Sequence, residues 1–179
     1  MSETPRPSPA SKPPPNGAHD FDFLHGQWTI AHRRLKRRHV GSDDWDRFSA
    51  TATCEPRLGG IANVEEIAIP ERGFSGMTLR SFDLSAGLWS IWWISSLEGR
   101  LQPPVTGQFR DGTGVFEGDD LDDGRPIRAR YVWSDIGANS ARWAQSFSLD
   151  GGQTWEVNWV MDFTRTEGAH EVYTAISGL

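Results

Sequence analysis

The length and composition of the chain predict one aromatic-rich domain and exclude strongly basic classes of protein. A chain of 179 residues is long enough for one domain with a sizeable core. Its nine tryptophans and nine phenylalanines favour strands, where large aromatic side chains pack well. The formal net charge of −6 excludes the general basic character that attracts nucleic acid or an anionic membrane. We therefore expect no nucleic-acid partner and no membrane partner.

The two ends of the chain differ in composition from the part between them. Residues 1–18 are dominated by proline, serine and small polar residues, which predicts a disordered Pro-rich tail. This tail lacks the apolar stretch of a signal peptide, and no later apolar run is long enough to span a bilayer. The lone Cys54 excludes an intrachain disulfide, which suits a reducing cytoplasm. We predict a cytoplasmic protein with a barrel domain over residues 19–167 and a C-terminal tail over residues 168–179.

The first three predicted strands alternate between inward and outward side chains. The first begins at Gly26, and its inner face carries Trp28, Ile30, His32 and Arg34. The second runs from Trp45 to Glu55, and its inner face ends at Cys54, a small buried hydrophobe. The third covers residues 61–69. Its larger apolar side chains share a face with Asn63 and Glu65, so we expect both polar groups inside.

Five further strands are predicted in the middle of the chain, over residues 73–82, 87–95, 105–110, 114–119 and 125–134. The segment 87–95 is apolar on both faces, with Trp93 pointing inward and Trp92 outward. Such a strand is either covered on both sides or carries an exposed apolar patch, so a homodimer through Trp92 is one alternative. In the segment 125–134, Tyr131 is expected inside.

The last two strands form a hairpin from Ser140 to Arg165 around an Asp150-Gly151-Gly152 turn. Alternation places one set of side chains inside: Trp143, Gln145, Trp155, Val157, Trp159 and Arg165. The opposite face is polar and includes Glu156 and Asn158. Sequential strands joined by tight turns predict an all-β fold, a single up-and-down antiparallel barrel of about ten strands, because closure removes exposed strand edges.

Two motifs resemble known families. Gly26-Gln27-Trp28, together with Arg165, resembles the Gly-x-Trp and Arg pair of the calycin superfamily, which includes lipocalins, fatty-acid-binding proteins and nitrobindin-type haem barrels. The resemblance implies a calycin-like barrel in which Arg165 packs over Trp28 as a structural closure. Across residues 20–165, stretches such as the Trp-rich WSIWW look like an uncharacterised bacterial family filed as a domain of unknown function.

The hairpin turn is similar to another motif, the Asp-box of sialidases and related propellers. The similarity covers residues 148–155, which read SLDGGQTW. A propeller needs this box in repeated blades, whereas it occurs once here. We therefore predict a structural Asp-box turn, in which the carboxylate of Asp150 accepts hydrogen bonds from the turn.

Three functional hypotheses follow from the polar residues expected inside. The first is a barrel that binds a small hydrophobic or aromatic ligand, and its candidate ligand-binding residues are His32, Arg34, Asn63, Glu65, Trp93, Tyr131, Trp143, Gln145 and Trp159. In this hypothesis Arg34 or Tyr131 meets a carboxylate or carbonyl. The second is an isomerase-, cyclase- or lyase-type enzyme that uses His32 and Glu65 as an acid/base pair. The third is haem binding through His32, by analogy with nitrobindin-like barrels.

The alternative to all three is a filled barrel. Interior polar residues can satisfy one another, and the side chains of a small barrel can leave no cavity. Such a protein would act through its surface or as a homodimer. No motif for a resident metal or cofactor is present, so we expect neither unless haem binds at His32.

Overall fold

The computed structural model describes residues 17–166, which form ten strands and three single-turn 3₁₀ helices. The strands are β1 (Gly26–Leu35), β2 (Trp45–Arg57), β3 (Ala62–Ile69), β4 (Phe74–Asp83), β5 (Leu88–Ser95), β6 (Val105–Arg110), β7 (Thr113–Asp122), β8 (Arg125–Ser134), β9 (Ser140–Ser148) and β10 (Glu156–Arg165). The short helices are Asp22–Leu24, Leu58–Gly60 and Pro70–Arg72. No helix of this part of the chain is long and apolar enough to cross a membrane.

The strands close into one antiparallel barrel. Each strand pairs with the next one along the chain, and β10 returns to pair with β1. The predicted all-β, up-and-down, ten-stranded barrel is confirmed. Alternation sets its interior as expected: on β1, Trp28, Ile30 and His32 are buried, whereas Thr29 and Ala31 are exposed.

The end of the barrel at which β1 begins is filled by a solid aromatic plug. Phe21 enters this end from the short segment before β1 and is 1 % exposed. Its ring meets Trp89 edge to face, with centroids 5.0 Å apart, and lies 5.5 Å from Phe116 and 6.1 Å from Trp133. Offset and edge-to-face contacts are the favourable geometries for aromatic pairs. The short segment therefore seals this end with side chains.

Arg165 locks the plug from outside. Its guanidinium lies 4.2 Å from the ring centroid of Trp28, which is its direct cross-strand neighbour. It also donates hydrogen bonds to the carbonyls of Phe23, His25 and Ala138, at 2.6, 2.7 and 2.9 Å. Trp28 Nε1 donates in turn to the Leu24 carbonyl at 2.7 Å. Arg165 thus joins the sealing segment, the end of β10 and the loop before β9.

The described chain starts two residues before the predicted barrel boundary. Gly17 and Ala18, which the sequence analysis assigned to the tail, belong to a turn that precedes the plug. Ala18 is fully buried, and the Gly17 carbonyl accepts a hydrogen bond from Trp89 Nε1 at 2.8 Å. The rest of the predicted N-terminal tail, residues 1–16, and the predicted C-terminal tail, residues 168–179, lie outside the described residues.

One part of the predicted facing pattern is wrong, and a β-bulge is the reason. The register of β10 against β9 shifts between Val157 and Trp159. A bulge adds one residue and so reverses the facing of the residues on one side of it. Val157 is consequently 45 % exposed, whereas Asn158 is 1 % exposed, the reverse of the simple alternation. Trp155 lies on the outer side, where the Arg130 guanidinium stacks 3.7 Å from its ring centroid.

The hairpin turn between β9 and β10 is organised by one carboxylate. Asp150 Oδ2 accepts from Thr154 Oγ1, and Oδ1 accepts from the Thr154 and Gln153 amides and from Ser148 Oγ. These hydrogen bonds, with the Thr154 hydroxyl first, hold the pKa of Asp150 well below its usual range. Gly151 and Gly152 adopt φ of 73° and 96°, which glycine tolerates without strain. The likeness to an Asp-box stays a prediction.

We predict that Arg165→Met lowers the free energy of unfolding by about 3 kcal/mol, since it removes one cation–π contact and leaves three carbonyls without their charged donor. Urea denaturation measures this change. The matched control is Arg110→Met, because Arg110 is exposed and makes no ion pair among residues 17–166; its effect should stay within about 0.5 kcal/mol. Equal effects of the two substitutions would contradict the locking role of Arg165.

Candidate functional site

A cavity of about 610 Å³ occupies the part of the barrel beyond the plug. This volume lies within the range of small-molecule sites. Eight of the nine predicted ligand-binding residues line it: His32, Arg34, Glu65, Trp93, Tyr131, Trp143, Gln145 and Trp159. Asn63 does not line it and instead lies fully buried against the side chain of Arg80. The barrel is therefore solid at one end and hollow at the other.

One wall of the cavity is a continuous aromatic surface. Trp143 meets Tyr131 edge to face with centroids 4.9 Å apart, and meets Trp159 likewise at 5.9 Å. Burial raises the pKa of the Tyr131 phenol, so the hydroxyl keeps its proton at neutral pH. Gln145, the next inward residue on β9, donates a hydrogen bond to Asn158 Oδ1 at 2.8 Å. The bulge in β10 therefore supplies the amide that positions Gln145.

The opposite wall is flattened by a glycine. Gly76 on β4 faces the interior, and a Cβ placed there would lie 1.8 Å from Cη2 of Trp93 on β5. Only a residue without a side chain permits this approach. The indole of Trp93 therefore lies flat against β4, which keeps the space in front of it open.

His32 lies on the inner face of β1 in a neutral form. Its Nδ1 accepts a hydrogen bond from Trp159 Nε1 at 3.0 Å, and its ring stacks on Phe48 with centroids 4.5 Å apart. An indole nitrogen is only a donor, so Nδ1 carries no proton and the neutral ring holds its proton on Nε2. Burial, aided by the charge of Arg34, lowers the pKa of His32 to about 4. Nε2 is buried with no hydrogen-bond partner among the described residues.

Glu65 is held by a residue that the sequence analysis did not single out. Arg80 on β4 donates from Nη2 to Glu65 Oε2 at 2.5 Å and from Nη1 to Asn63 Oδ1 at 3.1 Å. Glu65 and Arg80 are 1 % and 3 % exposed. Alternation along β4 places Arg80 on the same face as Phe74 and Phe82, so the sequence did contain a signal that Arg80 points inward. Both polar residues of β3 that were expected inside the barrel therefore bind Arg80, Glu65 as its ion-pair partner and Asn63 as a neutral acceptor.

The candidate acid/base pair is not assembled. No hydrogen bond joins His32 to Glu65 in residues 17–166. His32 is instead hydrogen-bonded to Trp159, and Glu65 to Arg80. A histidine with its pKa near 4 is also a weak base at neutral pH. The arrangement therefore orients polar groups around a cavity and does not couple these two for proton transfer.

The residues around His32 do not fit haem. An iron ligand needs a free ring-nitrogen lone pair, usually on Nε2 while Nδ1–H donates to a partner. Here Nδ1 already accepts from Trp159, and the proton lies on Nε2. Within the described chain no group of three or more His, Cys, Asp or Glu side chains could hold a metal ion. Cys54 is buried, and burial raises the pKa of its thiol to about 12.

The loop between β1 and β2 is held at the open end of the barrel by charged contacts that the sequence analysis did not predict. Asp122 on β7 accepts from Arg38 Nη2 at 2.6 Å and from His39 Nε2 at 3.0 Å. The His39 ring stacks on Phe147, with centroids 6.3 Å apart. Burial opposes ionisation of Asp122, but the hydrogen bonds and charges of Arg38 and His39 outweigh it and lower its pKa. The loop between β1 and β2 is thus fixed to the β7 end at the mouth.

Arg34 lines the cavity but forms no ion pair with a carboxylate of the described residues. It lies at the mouth end of β1, directly opposite Trp159 on β10, and its guanidinium sits 4.4 Å from the Trp159 ring centroid. Its side chain makes no hydrogen bond or ion pair among residues 17–166. Burial, and next the charge of Arg38, lowers the pKa of Arg34, while the charges of Asp122 and Asp46 raise it by less. An anion placed there would relieve both effects.

We predict that the stability of the barrel depends on the protonation of His32. The unfolded chain binds a proton below pH 6.5, whereas the folded chain does so only near pH 4, so stability falls as pH drops through this window. The loss assigned to His32 is about 2 to 3 kcal/mol. Urea titrations of the wild type and of His32→Gln at several pH values measure it. The variant should lose less stability between pH 6.5 and 4; parallel curves would contradict the prediction.

We predict that Gly76→Ala destabilises the barrel by about 2 kcal/mol because its methyl group overlaps the Trp93 indole. A double-mutant cycle with Trp93→Leu isolates the cause. The double variant should be more stable than the sum of the two single effects by about 1 kcal/mol, because the smaller side chain frees the space. Strictly additive effects would show that overlap with the Trp93 indole does not cause the destabilisation by Gly76→Ala.

Comparison with known proteins shows a shared fold. No family model matches the chain, and no curated protein matches it. It is similar in structure to a protein with unknown function from the DUF3598 family of Nostoc punctiforme PCC 73102, with a TM-score of 0.52 and 14 % sequence identity. The match covers 82 % of this chain and 48 % of that chain, so this chain spans about half the length of that protein. At this identity the likeness shows the fold alone. It supports the prediction of an uncharacterised domain of unknown function, while the calycin resemblance stays a prediction.

Proposed function

We propose that the protein binds a small, planar hydrophobic or aromatic molecule inside the open half of its barrel. The observation that carries this proposal is the cavity of about 610 Å³ walled by Trp93, Trp143, Trp159 and Tyr131. Flat aromatic walls bury planar ligands well, and a few polar groups at fixed positions then set their orientation. The filled barrel is disfavoured because such a barrel would leave no space of this size.

The charge of Arg34 at the mouth, unpaired among the described residues, supports a ligand that carries an acidic group. Arg34 is a partly buried cation at the mouth, stacked on Trp159 and lacking a described carboxylate partner. A ligand carboxylate could accept two parallel hydrogen bonds from its guanidinium. Its aromatic body would then extend along the Trp143 wall.

A naphthoic acid is a suitable test ligand, since it combines a planar apolar body with one carboxylate. We predict saturable binding to the wild type, measured by quenching of tryptophan fluorescence and by calorimetry. Arg34→Gln should weaken binding by about tenfold or more, the value of one charged hydrogen bond.

The matched control for this experiment is Arg33→Gln. Arg33 is the neighbouring residue of the same strand and lies on the outer side of the barrel, opposite Arg47 of β2. This variant should bind naphthoic acid as the wild type does. Absence of saturable binding would refute the proposed function, and equal weakening in both variants would refute the role of Arg34.

A further inference from the structure

We propose that the floor of the cavity is a subsite for a neutral hydroxyl group, formed by Glu65, Arg80 and Trp133. This inference rests on the proposed function and narrows its ligand class to an aromatic hydroxy acid, with the hydroxyl at the inner end and the carboxylate at the mouth. Nothing in the sequence analysis pointed to Arg80 or Trp133 as ligand contacts.

Three buried polar atoms at the floor are without partners in the described part of the chain. They are one acceptor, Glu65 Oε1, and two donors, Arg80 Nε and Trp133 Nε1. The three residues are 1 %, 3 % and 1 % exposed, and all three line the cavity. Leaving a buried polar atom unsatisfied is costly, so such atoms normally have a partner in a ligand, in water or in protein.

These groups are contiguous and fixed in place. Glu65 and Arg80 form the buried ion pair already described, and the Arg80 guanidinium lies 5.5 Å from the Trp133 ring centroid and 5.1 Å from that of Phe21. Phe21 of the aromatic plug therefore packs against the Arg80 side chain of the floor. A second hydrogen bond, from Nη1 to Asn63 Oδ1, also holds the Arg80 guanidinium. Glu65 and Arg80 therefore each make hydrogen bonds and keep one polar atom without a partner among residues 17–166, whereas Trp133 Nε1 makes none.

The charge balance of the floor selects the chemical group. Glu65 and Arg80 neutralise each other, so a second carboxylate would be repelled by Glu65 and an ammonium by Arg80. A carbonyl can accept from the donors, but it cannot donate to Glu65 Oε1. A hydroxyl does both, because its oxygen accepts while its proton is donated.

The position of the second charge sets the direction of the ligand. Arg80 is three residues from the plug end of β4, whereas Arg34 is one residue from the mouth end of β1. A molecule that satisfies both ends must carry its hydroxyl and its carboxylate at opposite ends of a planar body. The aromatic wall formed by Tyr131, Trp143 and Trp159 lies along the cavity that both ends line.

The test compares three ligands on the unmodified protein: naphthoic acid, its analogue with a hydroxyl on the ring far from the carboxylate, and the corresponding methoxy analogue. Calorimetry should show the hydroxy acid binding about tenfold more tightly than the parent, which is about one hydrogen bond in a buried site. The methoxy acid accepts but cannot donate, so it should bind no more tightly than the parent. Equal affinities of parent and hydroxy acid would overturn the subsite and leave the proposed function standing, with water alone at the floor. Failure of all three to bind would refute the proposed function itself.

A variant then assigns the preference to the floor. Glu65→Gln keeps the side-chain shape and places the neutral amide against Arg80; it should abolish the preference for the hydroxy acid while still binding the parent. Glu66→Gln, on the exposed outer face of the same strand, is the matched control and should keep the preference. A folded Glu65→Gln protein that still prefers the hydroxy acid would overturn the assignment. If this variant does not fold, the three-ligand comparison decides the question on the wild type.

Discussion

The pairing of β1 with β10 is the constraint on which the rest of the structure depends. It converts a meander with two open edges into a barrel without any, so that every inward side chain is enclosed. The same pair of strands also carries an arginine–tryptophan contact at each end. Arg165 faces Trp28 at the plug, and Arg34 faces Trp159 at the mouth, with the two residue types exchanged between the strands. Closure therefore creates the sealed end and the open end together.

Three arginines, Arg165, Arg80 and Arg34, differ in how their donors are satisfied, and this difference separates structural groups from candidate binding groups. Arg165 donates hydrogen bonds to three backbone carbonyls, so its role is structural. Arg80 is neutralised by Glu65, but Nε of Arg80 and Oε1 of Glu65 have no hydrogen-bond partner among the described residues. Arg34 packs on an indole and has no described carboxylate. Along the barrel axis, these three arginines of the described chain thus pass from hydrogen-bonded at the plug to unpaired at the mouth.

Strand facing was largely predictable, whereas bond partners were not. Simple alternation places Trp28, His32, Glu65 and Trp143 inside because successive strand residues point to opposite faces. It fails at Val157 and Asn158, because a bulge is specified by the partner strand and leaves no local signal in the alternation. The His32–Glu65 pair failed for a related reason. Both residues face inward as predicted, but Trp159 and Arg80, which are distant in sequence, bind them first.

The sequence by itself determined that this protein is a closed antiparallel barrel with an aromatic interior. Alternation and turn residues are local properties of the chain, and an all-antiparallel meander of this length avoids exposed edges best by closing. Only the tertiary structure decided that one half is solid and the other hollow. Packing depends on which rings meet across the barrel: Phe21 fills one end against Trp89 and Phe116, while Gly76 lets Trp93 lie flat and keeps the other end open.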